Sequence, residues 1–383
     1  MTSSNFTPSG RLKIALVHDH LAQDGGAEQV VKVLKEFFPQ APIFTLIFDR
    51  RRTNSFFNDQ DVRTSFLQNI PLGVSKYQWY LSLMPLATEN YNLMDYDVVI
   101  SSASSFAKGV LTRPDSVHIC YCHTPTRFLW TDTYSYIKEL RVNSVIKLIL
   151  PLTLRKLRQW DRLAADRVDY FVANSQTVKN RIKKYYNRNS EVIYPPVAVE
   201  EFFISNHPKK YYLAGGRLVP YKRVDLAVRA FSRLGIPLKV FGIGPELKIL
   251  KRMAKPNVQF LGKIDDATKK QLFANCIAYL NPQEEDFGIT AIEAMASGRP
   301  VIAYRAGGAT ETVKEGLSGE FFDEQIWEEL ADRIIRFEPQ RYNPMQIKEY
   351  AQQFSLETFK QKIFNLLTKI GDENRGRHPV IDG

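Results

Sequence analysis

The chain has 383 residues, 44% hydrophobic and 24% charged, which is ordinary globular composition; it excludes wholesale disorder and leaves room for two or three domains. Lys and Arg number 52 against 41 Asp and Glu, a net charge of +11, with thirteen basic and four acidic residues crowded into 138–188. Such a local basic surface calls for an anionic partner: phosphate, nucleic acid or an anionic membrane face. The three cysteines, Cys120, Cys122 and Cys276, exclude a disulfide framework and argue against structural zinc. That usage fits a reducing cytoplasm. Residues 1–10 are polar and lack the apolar core of a signal peptide, and no run of 18 apolar residues predicts a spanning helix.

Short apolar runs alternate with helical patterns along the first half. Residues 12–17, 43–48, 97–101, 117–122 and 170–173 read as strands, and 27–38 as an amphipathic helix. Cys120 and Cys122 lie on one face of such a strand as small buried hydrophobes. Pro195 and Pro196 can continue neither a helix nor a central strand and mark a connector. A second series follows at 211–214, 238–241, 258–261, 277–280 and 301–303. The pattern predicts an α/β protein of two doubly wound, Rossmann-like domains facing a central cleft. The expected division is 1–195, then 196–345, then a C-terminal helix, 346–370, packing back on the first domain, and a loosely ordered tail, 371–383.

The densest chemical signal is Asn281-Pro282-Gln283-Glu284-Glu285-Asp286-Phe287-Gly288-Ile289-Thr290, running into Glu293 and closing at Ser297-Gly298-Arg299-Pro300. It reads as strand, loop and helix, with the helix opening at Phe287 or Gly288. Free N–H groups at Gly288, Ile289 and Thr290 would suit a phosphate. Upstream, Gly215-Gly216-Arg217 and Lys222 end another strand. Two cations beside a helix start can clamp a diphosphate without a metal.

Glu285-x7-Glu293 together with Arg217-x4-Lys222 resembles the retaining glycosyltransferases of family 4, group 1, which have the GT-B fold. Gly25-Gly26-Ala27-Glu28, His123 before Thr124-Pro125, and Asn174-Ser175 extend the likeness over 12–370. The resemblance implies that Arg217 and Lys222 bind the donor diphosphate, Glu285 a donor-sugar hydroxyl and Glu293 the ribose. The backbone of Phe287, Gly288, Ile289 and Thr290 would meet sugar and phosphate, and Gly242 and Ile264 would line the base pocket. His123 would lie over the donor sugar, with Gly25, Gly26 and Asn174 on the acceptor side. The expected activity is metal-independent, cofactor-free hexose transfer from a nucleotide sugar to an acceptor hydroxyl, UDP-glucose being favoured and GDP-mannose close behind. The acceptor would be a sugar or lipid-linked sugar in polysaccharide or glycolipid assembly.

Other readings stand beside this one. A nucleotide-sugar epimerase on a similar frame is opposed by the Glu285/Glu293 spacing and the Arg217/Lys222 loop. A dehydrogenase lacks Gly-x-Gly-x-x-Gly after the first strand. A nucleic-acid binder would use the charge, but no reader motif interleaves it, so no nucleic acid is expected. His18-Asp19-His20 could be taken for a metal cluster, yet no further ligand motif lies nearby, so no metal is expected. Residues 145–162 are either a core helix with a solvated basic face or a helix resting on an anionic membrane, a surface that suits a basic, leucine-rich segment carrying Trp160. Residues 67–91, with Tyr77, Trp79, Tyr80 and Met84, are either core or a surface receiving a lipid-linked acceptor. Location is expected to be cytoplasmic, with a peripheral place on the inner membrane face open.

Overall fold

The computed structural model describes residues 12–134, 137 and 144–374. The polar start at 1–10 and the end of the expected tail, 375–383, lie outside the described residues, as do 138–143 of the basic stretch. The chain separates into two compact units, Met1–Ile193 with Lys360–Gly383, and Tyr194–Phe359.

The first unit is built on a parallel sheet in the order β3-β2-β1-β4-β5-β6-β7 among the described residues. Its strands are β1 (Ile14–His18), β2 (Ile43–Thr45), β3 (Val62–Thr64), β4 (Val98–Ala103), β5 (Val117–Cys122), β6 (Tyr170–Ala173) and β7 (Ser190–Val192). β4 is buried along its whole length and β5 along all but its first residue, as expected of strands covered on both faces. The expected strand over 43–48 ends at Thr45; beyond it Leu21 and Phe48 form an isolated bridge.

The second unit repeats the plan as β10-β9-β8-β11-β12-β13. Its strands are β8 (Tyr212–Gly215), β9 (Leu238–Phe241), β10 (Val258–Gly262), β11 (Tyr279–Asn281), β12 (Val301–Tyr304) and β13 (Gly319–Phe322). A core of aromatic and branched side chains, Phe231, Phe273, Tyr279, Ile292 and Phe322 among them, is essentially dry. In each sheet the strand order reverses, between β1 and β4 and between β8 and β11. Open α/β sheets bind ligands at the carboxyl ends of strands at such points.

The C-terminal helical stretch is not continuous. Pro344–Ala351 is one helix, Gln352–Phe354 a 3₁₀ turn, and Leu356–Asn374 a second helix, started at Ser355, whose hydroxyl accepts from the Thr358 N–H. The first four residues of the expected tail, 371–374, therefore belong to a helix. Its register is set by Phe359, Ile363, Leu366 and Ile370, all buried at helical spacing.

Candidate functional site

In the second unit the carboxyl ends of β8 and β11 bring the predicted residues together. Lys222 lies on a 3₁₀ turn after β8, and its ammonium contacts Glu285 Oε2 at 2.6 Å; Gln283 Nε2 donates to Glu285 Oε1 at 2.8 Å. Arg217 donates to the Tyr221 hydroxyl at 2.9 Å, while the Lys222 ammonium lies 5.8 Å over the same ring. Gly288 caps the helix Ile289–Ala296 with φ +99°, a conformation that favours glycine, and a Cβ there would come within 3.1 Å of Glu285 Oε1. The helix thus starts against the carboxylate, with Ile289 and Thr290 half-buried beside it.

The base-pocket candidates are also loop ends. Gly242 follows β9 with φ +107°, and a Cβ there would lie 1.8 Å from the Gly216 carbonyl oxygen, so two backbones pass in contact. Its N–H donates to the Gly262 carbonyl at 2.7 Å, and Ile264 beyond packs half-buried on the core. Glu293 projects from the helix Ile289–Ala296 to Lys269 Nζ at 2.8 Å. Burial drives the Glu293 carboxyl up and outweighs the Lys269 charge that pulls it down. The Phe287 side chain is buried, stacking on Tyr194 at 5.4 Å and meeting Phe354 at 5.7 Å, so Phe287 can face a ligand only through its backbone.

In the first unit His123 directly follows β5, buried, and its Nε2 is 2.8 Å from Ser102 Oγ on β4. His18, at the end of β1, places Nδ1 3.1 Å from the Ser102 carbonyl and 3.2 Å from its hydroxyl. Gly25 caps the helix Gly26–Phe37, whose first turn carries the buried Glu28; Glu28 Oε1 stands 3.7 Å from His18 Nε2. Burial opposes charge on His18, but Glu28, Asp19 and the Ser102 carbonyl outweigh it and its pKa is raised. His123 is lowered to about 4, first by burial and then by the charge on His18. Asn174 follows β6 and accepts from the Ser175 hydroxyl at 3.1 Å.

Asp19 and His20 point to other tasks. Asp19 accepts four backbone N–H groups, from Ser104, Ser105, Phe106 and Ala107, at 2.6 to 2.9 Å, tying β1 to the loop after β4. His20 lies edge-on to Tyr77 at 5.1 Å. Among the described residues no three His, Cys, Asp or Glu converge as a metal cluster.

The helix Ser144–Asp166 corrects one expectation. Trp160 turns inward, donating to Glu89 Oε1 at 2.7 Å and packing on Phe106 at 5.6 Å, so it is no membrane anchor. Arg158 is likewise occupied by the Leu129 carbonyl at 2.6 Å. Leu152, Arg155, Lys156 and Leu163 form the outer face. No helix among the described residues is long and apolar enough to cross a membrane. Residues 67–91 divide: Leu67 and Met84 are core, while Leu72, Trp79 and Leu86 are exposed.

Sequence reasoning missed Lys269, Gln283, Ser102 and His18 as parts of these arrangements. Lys269 and Ser102 stand in no quoted run, and Gln283 and His18 stand in one without that role; each part is found through what the residue touches. It also missed Gly307 and Gly308 after β12, where Gly308 N–H donates to the Glu285 carbonyl at 2.7 Å and fixes the loop that carries Glu285.

The sheets and their reversal points make two doubly wound α/β units, and two family models match the chain. Residues 199–354 match the model for glycosyl transferases group 1, and 24–201 match that for glycosyltransferase family 4. The chain belongs to the family 4, group 1 glycosyltransferases, and its fold is GT-B.

Among relatives, an alpha-1,3/1,6-mannosyltransferase ALG2 of Rhizomucor pusillus is 26% identical over 316 residues, 65% of this chain and 66% of that protein. A GDP-mannose-dependent alpha-mannosyltransferase of Corynebacterium glutamicum is 33% identical over 128 residues, 33% of this chain and 31% of that protein. The chain thus spans less than two thirds of the length of these relatives. The solved structure of Anabaena Alr3699/HepE in complex with UDP has a TM-score of 0.69 at 19% identity, over 94% of this chain and 100% of that one, a likeness of fold.

Proposed function

We propose that the protein transfers a hexose from a nucleotide sugar to an acceptor hydroxyl, with retention at the anomeric carbon and without a metal. The observation that carries this is the Lys222–Glu285 contact beside the Gly288 helix start, at the reversal between β8 and β11. A cation after β8 stands there against a carboxylate and a helix start after β11. In the reaction Lys222 and Arg217 meet the diphosphate, and the N–H groups of Ile289 and Thr290 add their dipoles. Glu285 then exchanges part of its contact with Lys222 for a sugar hydroxyl. The leaving phosphate oxygen takes the acceptor proton on the same face of the sugar. Glu293 and Lys269 together hold the ribose side, Gly242 and Ile264 the base, and His123 the sugar from the first unit, with Gly25, Gly26 and Asn174 toward the acceptor.

The names of the relatives make GDP-mannose the first donor to test, with UDP-glucose second. A lipid-linked or free sugar serves as acceptor. The outer face of Ser144–Asp166, with Arg155 and Lys156 between Leu152 and Leu163, gives an anionic bilayer a place to rest; each cation there contributes about 1 kcal/mol. Thermal-shift screening of nucleotide sugars tests the donor reading. A donor at 100 times its Kd adds about 2.7 kcal/mol of stability, and no shift with any nucleotide sugar would refute it.

A further inference from the structure

The buried polar contacts below the first unit's strand ends run in one direction. The Ser102 carbonyl can only accept, so His18 Nδ1, 3.1 Å away, is the donor. The Ser102 hydroxyl, 3.2 Å from the same nitrogen, accepts there too and has one hydrogen left to give. Its only other hydrogen-bond neighbour among the described residues is His123 Nε2 at 2.8 Å; for that buried hydrogen to be paired, Nε2 is the unprotonated acceptor. A neutral His123 with that nitrogen bare carries its proton on Nδ1. At the other end, His18 Nε2 faces Glu28 at 3.7 Å.

Glu28 is 1% exposed, and neither of its carboxylate oxygens has a hydrogen-bond partner among the described residues. A buried carboxylate without hydrogen bonds needs a facing positive charge, and His18 is placed to supply it. The other groups around this cluster do not compete. Asp19 is saturated by four N–H groups; His20 lies against Tyr77; Tyr121, edge-on to His123 at 5.2 Å, donates its hydroxyl to the Ile193 carbonyl.

We propose that Glu28 and His18 are positioning residues: through Ser102 they hold His123 neutral with its proton on Nδ1, so that His123 meets a ligand hydroxyl as an N–H donor. The ligand role of His123 rests on the transferase reading above; the proton arrangement does not. It also gives a physical reason for an acidic residue in the first turn after Gly25-Gly26. A Cβ on Gly25 would come within 3.0 Å of Glu28 Oε2, so the glycine leaves room for the carboxylate that faces His18.

The test is nitrogen NMR of ¹⁵N-histidine-labelled protein, wild type and three variants, Ser102→Ala, Glu28→Gln and His123→Gln, the last assigning its own signals. The sequence has only six histidines, so the spectrum is tractable. In wild type at neutral pH, His123 should show a bare Nε2 and a protonated Nδ1, and His18 two protonated nitrogens. Ser102→Ala should release His123 into a mixture of tautomers. Glu28→Gln should discharge His18 and raise the His123 midpoint from about 4 toward the ordinary histidine value. Donor cleavage measured alongside should fall in kcat by ~5-fold or more in Ser102→Ala, about the worth of one hydrogen bond, with donor KM little changed.

A wild-type His123 protonated on Nε2, a neutral His18, or an unchanged His123 signature in Ser102→Ala overturns the proposal. Should Glu28→Gln not fold, wild type and Ser102→Ala still decide it. The expected tautomers in a protein that cleaves no nucleotide sugar would instead refute the transferase reading and leave the proton arrangement intact.

Discussion

Asp161 on the helix Ser144–Asp166 gathers four side-chain donors, and its removal has a calculable cost. It is buried and takes the Lys108 ammonium at 2.5 Å, the Thr126 hydroxyl at 2.6 Å, and the Trp130 N–H and Tyr186 hydroxyl at 2.7 Å each. Lys108 is 1% exposed. Burial alone would drive its ammonium toward neutrality, yet Asp161 outweighs that and holds Lys108 above the ordinary lysine value. Asp161→Ala leaves this charge uncompensated, a cost of about 3–5 kcal/mol. It also strands two or three neutral donors at about 1–3 kcal/mol each, partly relieved by water entering the gap. These do not simply add, but the sum should reach at least ~4 kcal/mol, a large part of a domain's usual 5–15.

Lys108→Met with Asp161→Leu removes both charges and should be less destabilised than Asp161→Ala alone. Urea unfolding followed by tryptophan fluorescence reads this out, because three of the four tryptophans, Trp79, Trp130 and Trp160, lie in the first unit. A first-unit midpoint for Asp161→Ala within 1 kcal/mol of wild type (roughly a fivefold change in the folding equilibrium) would show that the network carries no such load.

Glu293→Ala should weaken binding of the free nucleotide, whereas Glu285→Ala should spare it and lower turnover. Each lost charged hydrogen bond is worth roughly 1.5–3 kcal/mol, and equal loss of nucleotide affinity in both variants would show the two carboxylates to be misassigned. Turnover should survive EDTA; loss restored by Mg²⁺ or Mn²⁺ would contradict the metal-free clamp of Arg217 and Lys222. Stability should fall on acidification below pH 6.5, because His118 and His123 are held neutral, down to about 3 and about 4, mainly by burial. The unfolded chain takes up protons there that the native state refuses, so their stabilisation is complete above 6.5 and is lost at up to ~1.4 kcal/mol per pH unit for each histidine. His18, raised, acts oppositely, stabilising below 6.5 and losing its contribution as pH rises through its folded value. Equal urea midpoints at pH 7 and 5 would refute this balance. Sedimentation with anionic vesicles should fall for Arg155→Glu with Lys156→Glu; binding indifferent to lipid charge and to these changes would remove the membrane proposal.

The two α/β series, the connector near Pro195 and the strand–loop–helix carrying Glu285 were legible because each is a local pattern: an apolar run, a proline pair, a glycine before a helix. The strands β3 and β7 were not, because each has three residues, sits at a sheet edge and buries no residue fully. β13 begins on Gly319 and contains Glu320, which hides its period. Trp160 read as an anchor because hydropathy does not say which side of a helix meets Glu89. The partners Lys269 and Ser102 are matters of tertiary contact, whereas Gln283 stands two residues before Glu285 and only its contact shows its part. His18 and Glu28 were visible as residues, but their pairing depends on how closely a helix starts beside β1, which no spacing encodes.

The most direct test of the central claim is early-time proton NMR of the full chain with GDP-mannose and then UDP-glucose, with EDTA present and water as the acceptor. Retaining transfer to water releases free nucleotide together with hexose whose first-formed anomer is α, as in the donor. A β-anomer formed first, or no cleavage of either donor by a protein that they stabilise thermally, would contradict it.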